Sequence, residues 1–375
     1  MKVLIIAYDL EMTSGWGRHA MMVAREYDKR GIEYHVIGEI GRSAAQPRET
    51  KLLLASSSLP SIVRNMWRVW RAANGEYDIV HAFDVWPYGL YGYAAVFRTN
   101  AKLFLNGVGT YSVGPLHSWW KRLMLSFVFA RTLKIFSVSA YTMREMLATV
   151  PSLKGKFLLT YLGTTDLPPA SPGDLDRARS LFRITGSPVI LTVGAIKDRK
   201  GQLDTLKAIG ILKERYPDIL YVIVGSSVNT EYVELVRSYA RANNLEPNLR
   251  ILDSIKHDRE LAPLYELSDV FAMNSTNDAT TYHFEGFGLV FLEAYQFGKP
   301  CVGSRNCGIE DVIDEGKTGY LCSQNNPADI ANKITLILEK GPTSFAQAAL
   351  EMRKRFTWNA VAEIYIRAYS ARKED

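Results

Sequence analysis

Two glutamates, Glu285 and Glu293, are separated by seven residues that hold a glycine-rich turn and the start of an apolar run. The apolar run predicts a helix beginning near residue 288, and glycines let backbone amides approach an anion at the positive end of such a helix. Glu293, about one turn into the helix, can accept paired hydrogen bonds from vicinal hydroxyls such as those of a ribose. The alternative is a solvent-facing Glu293 and a glycine cap packed for shape. The amides concerned belong to Gly286, Phe287, Gly288 and Leu289.

The elements that position these residues alternate along the chain. Apolar runs of strand length follow longer segments of helical period, which is typical of parallel βαβ units. In the first half, the pattern predicts strands at residues 3–7, 34–38, 79–82, 103–106, 135–138 and 157–161 and helices at 17–30, 59–73, 116–132 and 141–150. In the second half, it predicts strands at 189–193, 220–225, 250–252, 270–274 and 300–303 and helices at 202–214, 231–243, 289–297 and 327–339.

The length indicates two domains, because 375 residues, 47% of them hydrophobic, exceed one typical core of ~100–200 residues. A Pro-rich polar segment at 164–173 indicates an interdomain linker. We expect an N-terminal Rossmann-like domain at 1–165, a linker at 166–185 and a C-terminal Rossmann-like domain at 186–356. A helix at about 357–375 is expected to pack back on the first domain. Two such domains facing each other place a ligand cleft at the carboxyl ends of their strands.

The segments that flank the two glutamates resemble a known family. Gly298-Lys299-Pro300 closes the predicted helix, and residues 314–321 form a turn and a short strand. With the glutamate–seven–glutamate motif in its Glu-Gly-Phe-Gly variant, these segments resemble the family 4 retaining glycosyltransferases of the GT-B fold. The resemblance covers nearly the whole chain and is most specific at 270–321. It implies an α/β fold of two Rossmann-like parallel-sheet domains facing a central cleft, the first binding an acceptor and the second a nucleotide sugar.

The resemblance also implies a cationic cradle for the donor diphosphate. In this family an Arg often follows a strand-ending glycine, and a Lys follows five residues later. Lys200 occupies the lysine position, but Ala195 stands where the Arg is expected. Arg199 and Lys197 are candidates to replace it, and we favour Arg199; the alternative is a loop of solvated charges. Glu285, Lys200 and Arg199 are the expected catalytic residues.

The N-terminal glycine loop of the family has a counterpart at residues 14–19, Ser-Gly-Trp-Gly-Arg-His, which follow the first strand and open a helix. The resemblance implies that Gly15 and Gly17 let this loop lie against the donor diphosphate and the transferred sugar. The alternative is an ordinary strand-to-helix turn.

Two polar residues near the next strands are expected to contact substrate. Residues 78–84 resemble a family strand that ends at the cleft edge and carries His81, although a lone histidine is more often structural. Many family members have a second His in the segment matching 105–112. Here Asn106 or Val108 takes its place, depending on the alignment, and Asn106 can donate a hydrogen bond to the sugar.

The implied chemistry breaks the bond between an anomeric carbon and a nucleotide diphosphate. This step builds negative charge on the leaving phosphate and positive charge on the sugar. Lys200, Arg199 and the amides near 287–289 would stabilise the phosphate, while Glu285 would hold sugar hydroxyls and Glu293 the ribose. No second carboxylate stands where a double-displacement nucleophile is expected, so the resemblance implies retention by front-side attack.

No metal or other cofactor is expected, and the donor is a nucleotide-diphosphate sugar, with a UDP-sugar favoured. Asp174-Leu175-Asp176 imitates a metal-binding Asp-x-Asp motif, but it precedes a helical pattern, where Asp is a good cap. The resemblance implies catalysis without a divalent cation.

The net charge of +6 is unevenly distributed, because residues 1–165 hold 20 Lys and Arg against 11 Asp and Glu. No acid occurs between Asp84 and Glu145, which indicates an anionic partner. Segments 59–71 and 118–123 mix tryptophans with basic residues, a pattern typical of anionic membrane surfaces. The alternative is a pair of domain helices with buried tryptophans and solvated arginines. We expect no nucleic-acid partner, since no recognised module accompanies the charge.

The expected location is cytoplasmic, peripheral at the inner face of the plasma membrane, with a glycan or lipid-linked acceptor in cell-surface polysaccharide or glycolipid synthesis. The apolar run at 3–7 is too short for a signal peptide, and no window approaches ~18 uninterrupted apolar residues. Three cysteines without paired spacing indicate a reducing compartment.

Two rival functions stay open at this point. A nucleotide-sugar epimerase of the same fold needs acid and base groups around the sugar, and it would form an epimer from donor alone. A catalytically weak sugar-nucleotide-binding subunit fits Ala195 and the missing histidine.

Overall fold

The computed structural model describes residues 1–12, 15–41, 44–55, 58–255, 258–278 and 280–371. The chain divides into two compact units, Met1–Gly163 with Thr357–Asp375, and Thr164–Phe356. The segment 166–185, expected to be a linker, belongs to the second unit and contains a helix at Pro172–Leu181.

In the first unit, the described residues form a seven-stranded parallel sheet in the order β3-β2-β1-β4-β5-β6-β7. Its strands are β1 (Lys2–Ile6), β2 (Glu33–Glu39), β3 (Glu49–Leu53), β4 (Ile79–Ala82), β5 (Lys102–Gly107), β6 (Thr132–Ser137) and β7 (Phe157–Leu159). The helices are α1 (Gly15–Lys29), α2 (Leu59–Ala73), α3 (Tyr88–Ala95), α4 (Thr110–Val113), α5 (Trp119–Arg131) and α6 (Ala140–Thr149). The central strands are mostly apolar because parallel sheets are covered on both faces, and His81 of β4 and Asn106 of β5 are buried polar exceptions.

In the second unit, the described residues form a six-stranded parallel sheet in the order β10-β9-β8-β11-β12-β13. Its strands are β8 (Val189–Val193), β9 (Leu220–Val224), β10 (Leu249–Leu252), β11 (Val270–Met273), β12 (Cys301–Ser304) and β13 (Gly319–Cys322). The helices are α7 (Pro172–Leu181), α8 (Gln202–Leu212), α9 (Thr230–Ala242), α10 (Asp258–Leu267), α11 (Leu289–Gln296), α12 (Pro327–Lys340) and α13 (Ala346–Lys354). The order reverses between β8 and β11, and such a switch point opens a ligand crevice at the carboxyl ends of the strands.

The chain ends in α14 (Trp358–Ser370), which belongs to the first unit; residues 372–375 of the expected helix lie outside the described residues. Trp358 and Tyr365 of α14 are buried in the same core as β1 and α1. Gly163 permits this packing, because a Cβ there would lie 2.4 Å from the Trp358 backbone nitrogen. The final helix is therefore part of the first core.

Candidate active site

Lys200, Arg199 and Glu285 meet at the carboxyl edge of the second sheet. The two cations lie in the 3-10 turn Asp198–Lys200 that follows β8, and Glu285 lies in the loop between β11 and α11. Because β8 and β11 are neighbours at the switch point, these loops share one edge. Lys200 Nζ donates to Glu285 Oε2 at 2.7 Å, and Arg199 Nη1 donates to the same oxygen at 3.2 Å. The structure brings together the three residues expected to be catalytic.

The cations keep Glu285 ionised. Burial alone would raise the pKa of this carboxyl, but the charges and hydrogen bonds of Lys200 and Arg199 outweigh burial and lower the pKa to about 2. Lys197 lies in the same field, since burial and then the charges of Arg199 and Lys200 lower its pKa. The turn thus concentrates three cations against the carboxylates of Glu285 and Asp198, an arrangement that suits phosphate oxygens.

Gly201 fixes the position of Lys200. Its φ of 67° is left-handed, and a Cβ there would lie 2.0 Å from the Asn274 carbonyl oxygen at the end of β11. Glycine therefore lets the start of α8 pack directly on the neighbouring strand. Arg199 brings a guanidinium to the site although residue 195 is alanine.

The glycine turn before α11 has the expected form. Gly288 caps the helix with a φ of 94°, Leu289 is the first helical residue, and Phe287 is buried. A Cβ on Gly308 would lie 2.0 Å from the Gly286 carbonyl oxygen, so the two backbones approach closely. The turn therefore presents the first amides of α11, which have no intrahelical partners, at the same sheet edge.

Glu293 is buried on α11, and its Oε2 accepts a hydrogen bond of 2.9 Å from the Tyr265 hydroxyl of α10. The alternative of a solvent-facing Glu293 is wrong. A ribose bound at Glu293 would donate hydrogen bonds to a carboxylate that already accepts one from Tyr265.

The N-terminal glycine loop is packed against the segment that follows β1. A Cβ on Gly17 would lie 1.9 Å from Asp9 Oδ1 and 2.4 Å from the Glu11 carbonyl oxygen, whereas Gly15 faces open space at the first residue of α1. Ser14 of the same motif lies outside the described residues. Gly17 is thus required by the close approach of α1 to the preceding loop.

His81 and Asn106 do not form a substrate-binding pair, contrary to the expectation from the sequence. Both side chains are fully buried. Asn106 Oδ1 can only accept, so it accepts from His81 Nε2 at 3.0 Å and from the Tyr365 hydroxyl at 3.1 Å. His81 Nδ1 then accepts from the Tyr369 hydroxyl at 2.6 Å. Because α14 covers both residues with its tyrosines, they bind the final helix and not a sugar.

The Asp-x-Asp segment belongs to the start of α7. Ser171 is the N-cap, and Asp174 completes a capping box by accepting from the Ser171 backbone amide at 3.0 Å. Asp176 lies 3.8 Å from Arg179 one turn later. Both carboxylates therefore have local partners.

The sequence placed Asp84 at the cleft edge, in the strand-ending segment 78–84, but assigned it no role; it lies two residues after β4. Its Oδ1 accepts from the Val85 amide at 2.6 Å and from Ser112 Oγ at 2.7 Å. Burial raises the pKa of this carboxyl to about 7, against those two hydrogen bonds, which lower it. The available signal was an acid at the carboxyl end of a buried strand, in the same segment as His81.

Known structures share this fold. A glycosyltransferase from Rickettsia africae ESF-5 superposes with a TM-score of 0.80 at 21% identity, covering 98% of this chain and 97% of that one. The Anabaena protein HepE, in complex with UDP and glucose, superposes with a TM-score of 0.79 at 18% identity, covering 99% of each chain. These likenesses confirm the predicted class, a GT-B fold built from two Rossmann-like parallel-sheet domains.

Curated relatives match parts of the chain. A D-inositol 3-phosphate glycosyltransferase from Corynebacterium diphtheriae is 32% identical over 206 residues, which make up 52% of this chain and 45% of that protein. Spore coat protein SA from Bacillus subtilis is 28% identical over 257 residues, 63% of this chain and 64% of the relative. The chain thus spans about half to just under two thirds of the length of these relatives.

Two family models match the chain. The model for Glycosyltransferase Family 4 matches residues 13–155, and the model for Glycosyl transferases group 1 matches residues 176–361. Together the two matches span most of both units. The chain belongs to the glycosyltransferase family that these two models describe.

Proposed function

We propose that the protein transfers a sugar from a nucleotide-diphosphate donor, with a UDP-sugar favoured, to a hydroxyl acceptor, with retention and without a metal ion. The observation that carries the proposal is the contact of Lys200 and Arg199 with Glu285 at the switch point of the second sheet. Membership of the glycosyltransferase family favours a transferase over the epimerase of the same fold.

In this proposal the cation cluster stabilises the leaving diphosphate. Lys200 and Arg199 supply charge-assisted donors where a divalent cation would otherwise act, and the first amides of α11 add fixed dipoles. Glu285, ionised at neutral pH, orients both cations and accepts from a sugar hydroxyl. The leaving phosphate takes the proton of the acceptor hydroxyl, and the acceptor oxygen forms its bond on the face that the phosphate leaves.

An assay with a panel of UDP-sugars and simple glycoside acceptors tests this function, with product NMR as the readout. We expect a new glycosidic linkage with the donor's anomeric configuration, at the same rate in EDTA. An inverted linkage would reject front-side attack, and an epimer formed from donor alone would favour the rival isomerase. Loss of activity in EDTA would contradict catalysis without metal.

We further propose that the first domain binds the cytoplasmic face of an anionic membrane, where a lipid-linked acceptor in cell-surface glycan synthesis would lie. None of the described helices is long and apolar enough to cross a membrane. Two helices of the first unit instead carry exposed apolar side chains at helical spacing. These are Leu59, Val63, Trp67 and Trp70 on α2 and Trp119, Leu123 and Phe127 on α5, here called the α2–α5 surface.

Basic residues accompany the α2–α5 surface. Arg71 on α2 lies over the Trp67 ring at 4.9 Å, and Lys121 on α5 lies over the ring of its neighbour Trp120 at 5.4 Å. Trp67 and Trp119 are 52% and 74% exposed, so the alternative of domain helices with buried tryptophans is wrong at these positions. Exposed tryptophans with adjacent cations favour an interface of anionic headgroups.

Sedimentation with vesicles tests the membrane proposal. We expect the protein to bind phosphatidylcholine vesicles that contain phosphatidylglycerol and not pure phosphatidylcholine, because charge and apolar burial act together. The double change Trp67→Ala and Trp70→Ala is expected to lower partitioning about tenfold. Leu235→Ala, an exposed apolar side chain of the second unit, is the control and should change nothing. Equal sedimentation with neutral and anionic vesicles would count against the proposal.

A further inference from the structure

The first sheet has its own switch point, between β1 and β4. The loops that leave β1, β4 and β5 at their carboxyl ends therefore share one edge, here called the first-sheet edge. In open α/β sheets this edge is where ligands bind. The cation cluster and the glycine turn before α11 belong to the second sheet, so the side chains of the first-sheet edge bear on the other substrate.

Three aromatic rings lie along the first-sheet edge. Tyr8 follows β1, Trp16 lies in the first turn of α1, and Tyr111 lies in α4 after β5. The Trp16 ring meets Tyr8 at 5.5 Å and Tyr111 at 4.9 Å, both edge to face. Trp16 and Tyr111 keep 37% and 45% of their surface exposed. Connected rings that stay open to solvent offer apolar faces against which the C–H face of a sugar can pack.

Asp84 lies next to these rings through Ser112, which follows Tyr111 in the chain. Oδ1 of Asp84 accepts both hydrogen bonds that the described residues give this carboxyl, from Val85 and Ser112. Oδ2 receives none from the described residues, although the side chain is almost fully buried. A carboxyl oxygen with spare capacity on a nearly buried side chain, beside exposed rings at a switch point, is suited to accept a hydrogen bond from a ligand hydroxyl.

The charges of the first-sheet edge oppose an anionic ligand. Asp84 and Asp9 follow β4 and β1, and Glu39, the last residue of β2, accepts from the Tyr88 hydroxyl at 2.8 Å. The nearby cations are engaged: Lys51 lies 2.8 Å from Glu49, and Arg18 donates to the Met12 carbonyl oxygen at 3.3 Å. Negative charge is therefore in excess at the first-sheet edge, whereas positive charge is in excess around Glu285.

We infer that the first-sheet edge binds an uncharged carbohydrate acceptor, with its ring packed on Trp16 and Tyr111 and one hydroxyl donating to Asp84. The inference rests on the proposed function and adds the acceptor class, a neutral polyhydroxylated ring in place of a phosphorylated one. A phosphate at this edge would meet Asp84, Asp9 and Glu39, and the adjacent Lys51 and Arg18 are already engaged by protein groups.

Matched pairs of methyl glycosides and their 6-phosphates test the inference, with the UDP-sugar that gives turnover as donor. We expect kcat/KM at least tenfold higher for the neutral member of each pair. Asp84→Asn should raise the acceptor KM about tenfold, with a clearly smaller effect on acceptor-independent hydrolysis of the donor. At pH 8, above the Asp84 pKa of about 7, it should also reduce the preference for the neutral glycoside over its 6-phosphate, because the repelling charge is gone. Trp16→Ala should raise the same KM, and Trp16→Tyr should restore part of the loss.

Asp78→Asn, at the amino end of the same strand β4, is the matched control and should leave both readouts at wild-type values. A preference for the phosphorylated member, or no use of neutral glycosides while donor hydrolysis persists, would overturn the inference. An equal loss of donor hydrolysis and of transfer in Asp84→Asn would also overturn it. That result would mean that Asp84 only maintains the local structure through its hydrogen bond with Ser112. Absence of both transfer and donor hydrolysis in the wild type, with every UDP-sugar tried, would reject the proposed function instead.

Discussion

Replacing Lys200 by methionine is expected to lower kcat about 10³-fold while the protein stays folded. The change removes a charge-assisted donor to the leaving diphosphate, and loss of one such preorganised donor costs about 10²–10³ in rate. Methionine keeps most of the unbranched stem and loses only the ammonium, with its hydrogen bonds to Glu285 and to Met273 Sδ. Initial rates at saturating donor, with circular dichroism to verify folding, measure the effect.

Lys207→Met is the matched control for Lys200. Lys207 lies on α8, the helix that follows the turn of Lys200, and it pairs with Asp204 at 3.1 Å. Its removal should change kcat less than twofold, since a single surface pair contributes roughly 0–1 kcal/mol to stability and nothing to the site. If Lys200→Met kept activity within a few-fold of wild type, the cation cluster would not be the diphosphate cradle.

The residues of this cluster could be predicted because parallel strands have a simple sequence pattern. β8 reads as an uninterrupted apolar run, which a strand buried on both faces requires. The loops after such strands emerge at one edge, while the resemblance to the family singled out Lys200 and Glu285 within those loops. In the structure the two side chains lie 2.7 Å apart.

Elements without that pattern were missed. α3 contains Gly89 and Gly92, poor helix formers, and it is buried nearly all round, so it shows no amphipathic period. A Cβ on Gly92 would lie 2.9 Å from Leu103 of β5, which explains the glycine by packing that no local window reveals. β3 is an edge strand whose Glu49 and Lys51 pair with each other. Because these residues are polar, the segment lacks the apolar run by which the other strands were predicted.

The segment 164–173 was expected to be a linker because of its composition, and a helical pattern was expected after Asp174-Leu175-Asp176, with Asp as a good cap. In the structure α7 begins slightly earlier, at Pro172, and Asp174 completes the capping box. Proline is favoured in the first turn of a helix, where it needs no amide hydrogen. The helix and its cap were therefore readable from the sequence, and only the starting residue differs.

His81 and Asn106 were misassigned because their burial depends on α14, which lies more than 250 residues away in sequence. No spacing near either residue reveals that tyrosines of the last helix will cover them.

The contacts between α14 and the buried histidines also affect stability. His19 Nε2 is hydrogen-bonded to the Tyr365 hydroxyl at 3.0 Å, so His19 and His81 belong to one hydrogen-bond network with α14.

Acid is expected to unfold the first domain through His19 and His81. Burial lowers the pKa of each to about 3, and for His81 the Asn106 hydrogen bond only partly offsets burial. Between pH ~6.5 and 3 the unfolded chain therefore binds more protons than the folded one, and stability falls as pH falls. Each histidine contributes about 1.4 kcal/mol per pH unit in that window. Asp84 has the opposite effect on stability, about 1.4 kcal/mol per pH unit. Its raised pKa of about 7 makes the folded state bind one more proton than the unfolded state at the acidic pH values below it.

His81→Gln should therefore reduce the slope of unfolding free energy against pH by about 1.4 kcal/mol per unit between pH 6 and 4.5. Guanidinium titrations at a series of pH values, followed by circular dichroism, measure that slope. His35→Gln is the control, since this half-buried histidine of β2 pairs with Thr50 at 2.9 Å and should alter the slope far less. At pH 7.5 the His81 variant should keep its activity per folded molecule, because the residue holds α14 and does not touch substrate. If the variant kept the wild-type slope but lost its activity, the prediction would be wrong and His81 would be a substrate-binding residue.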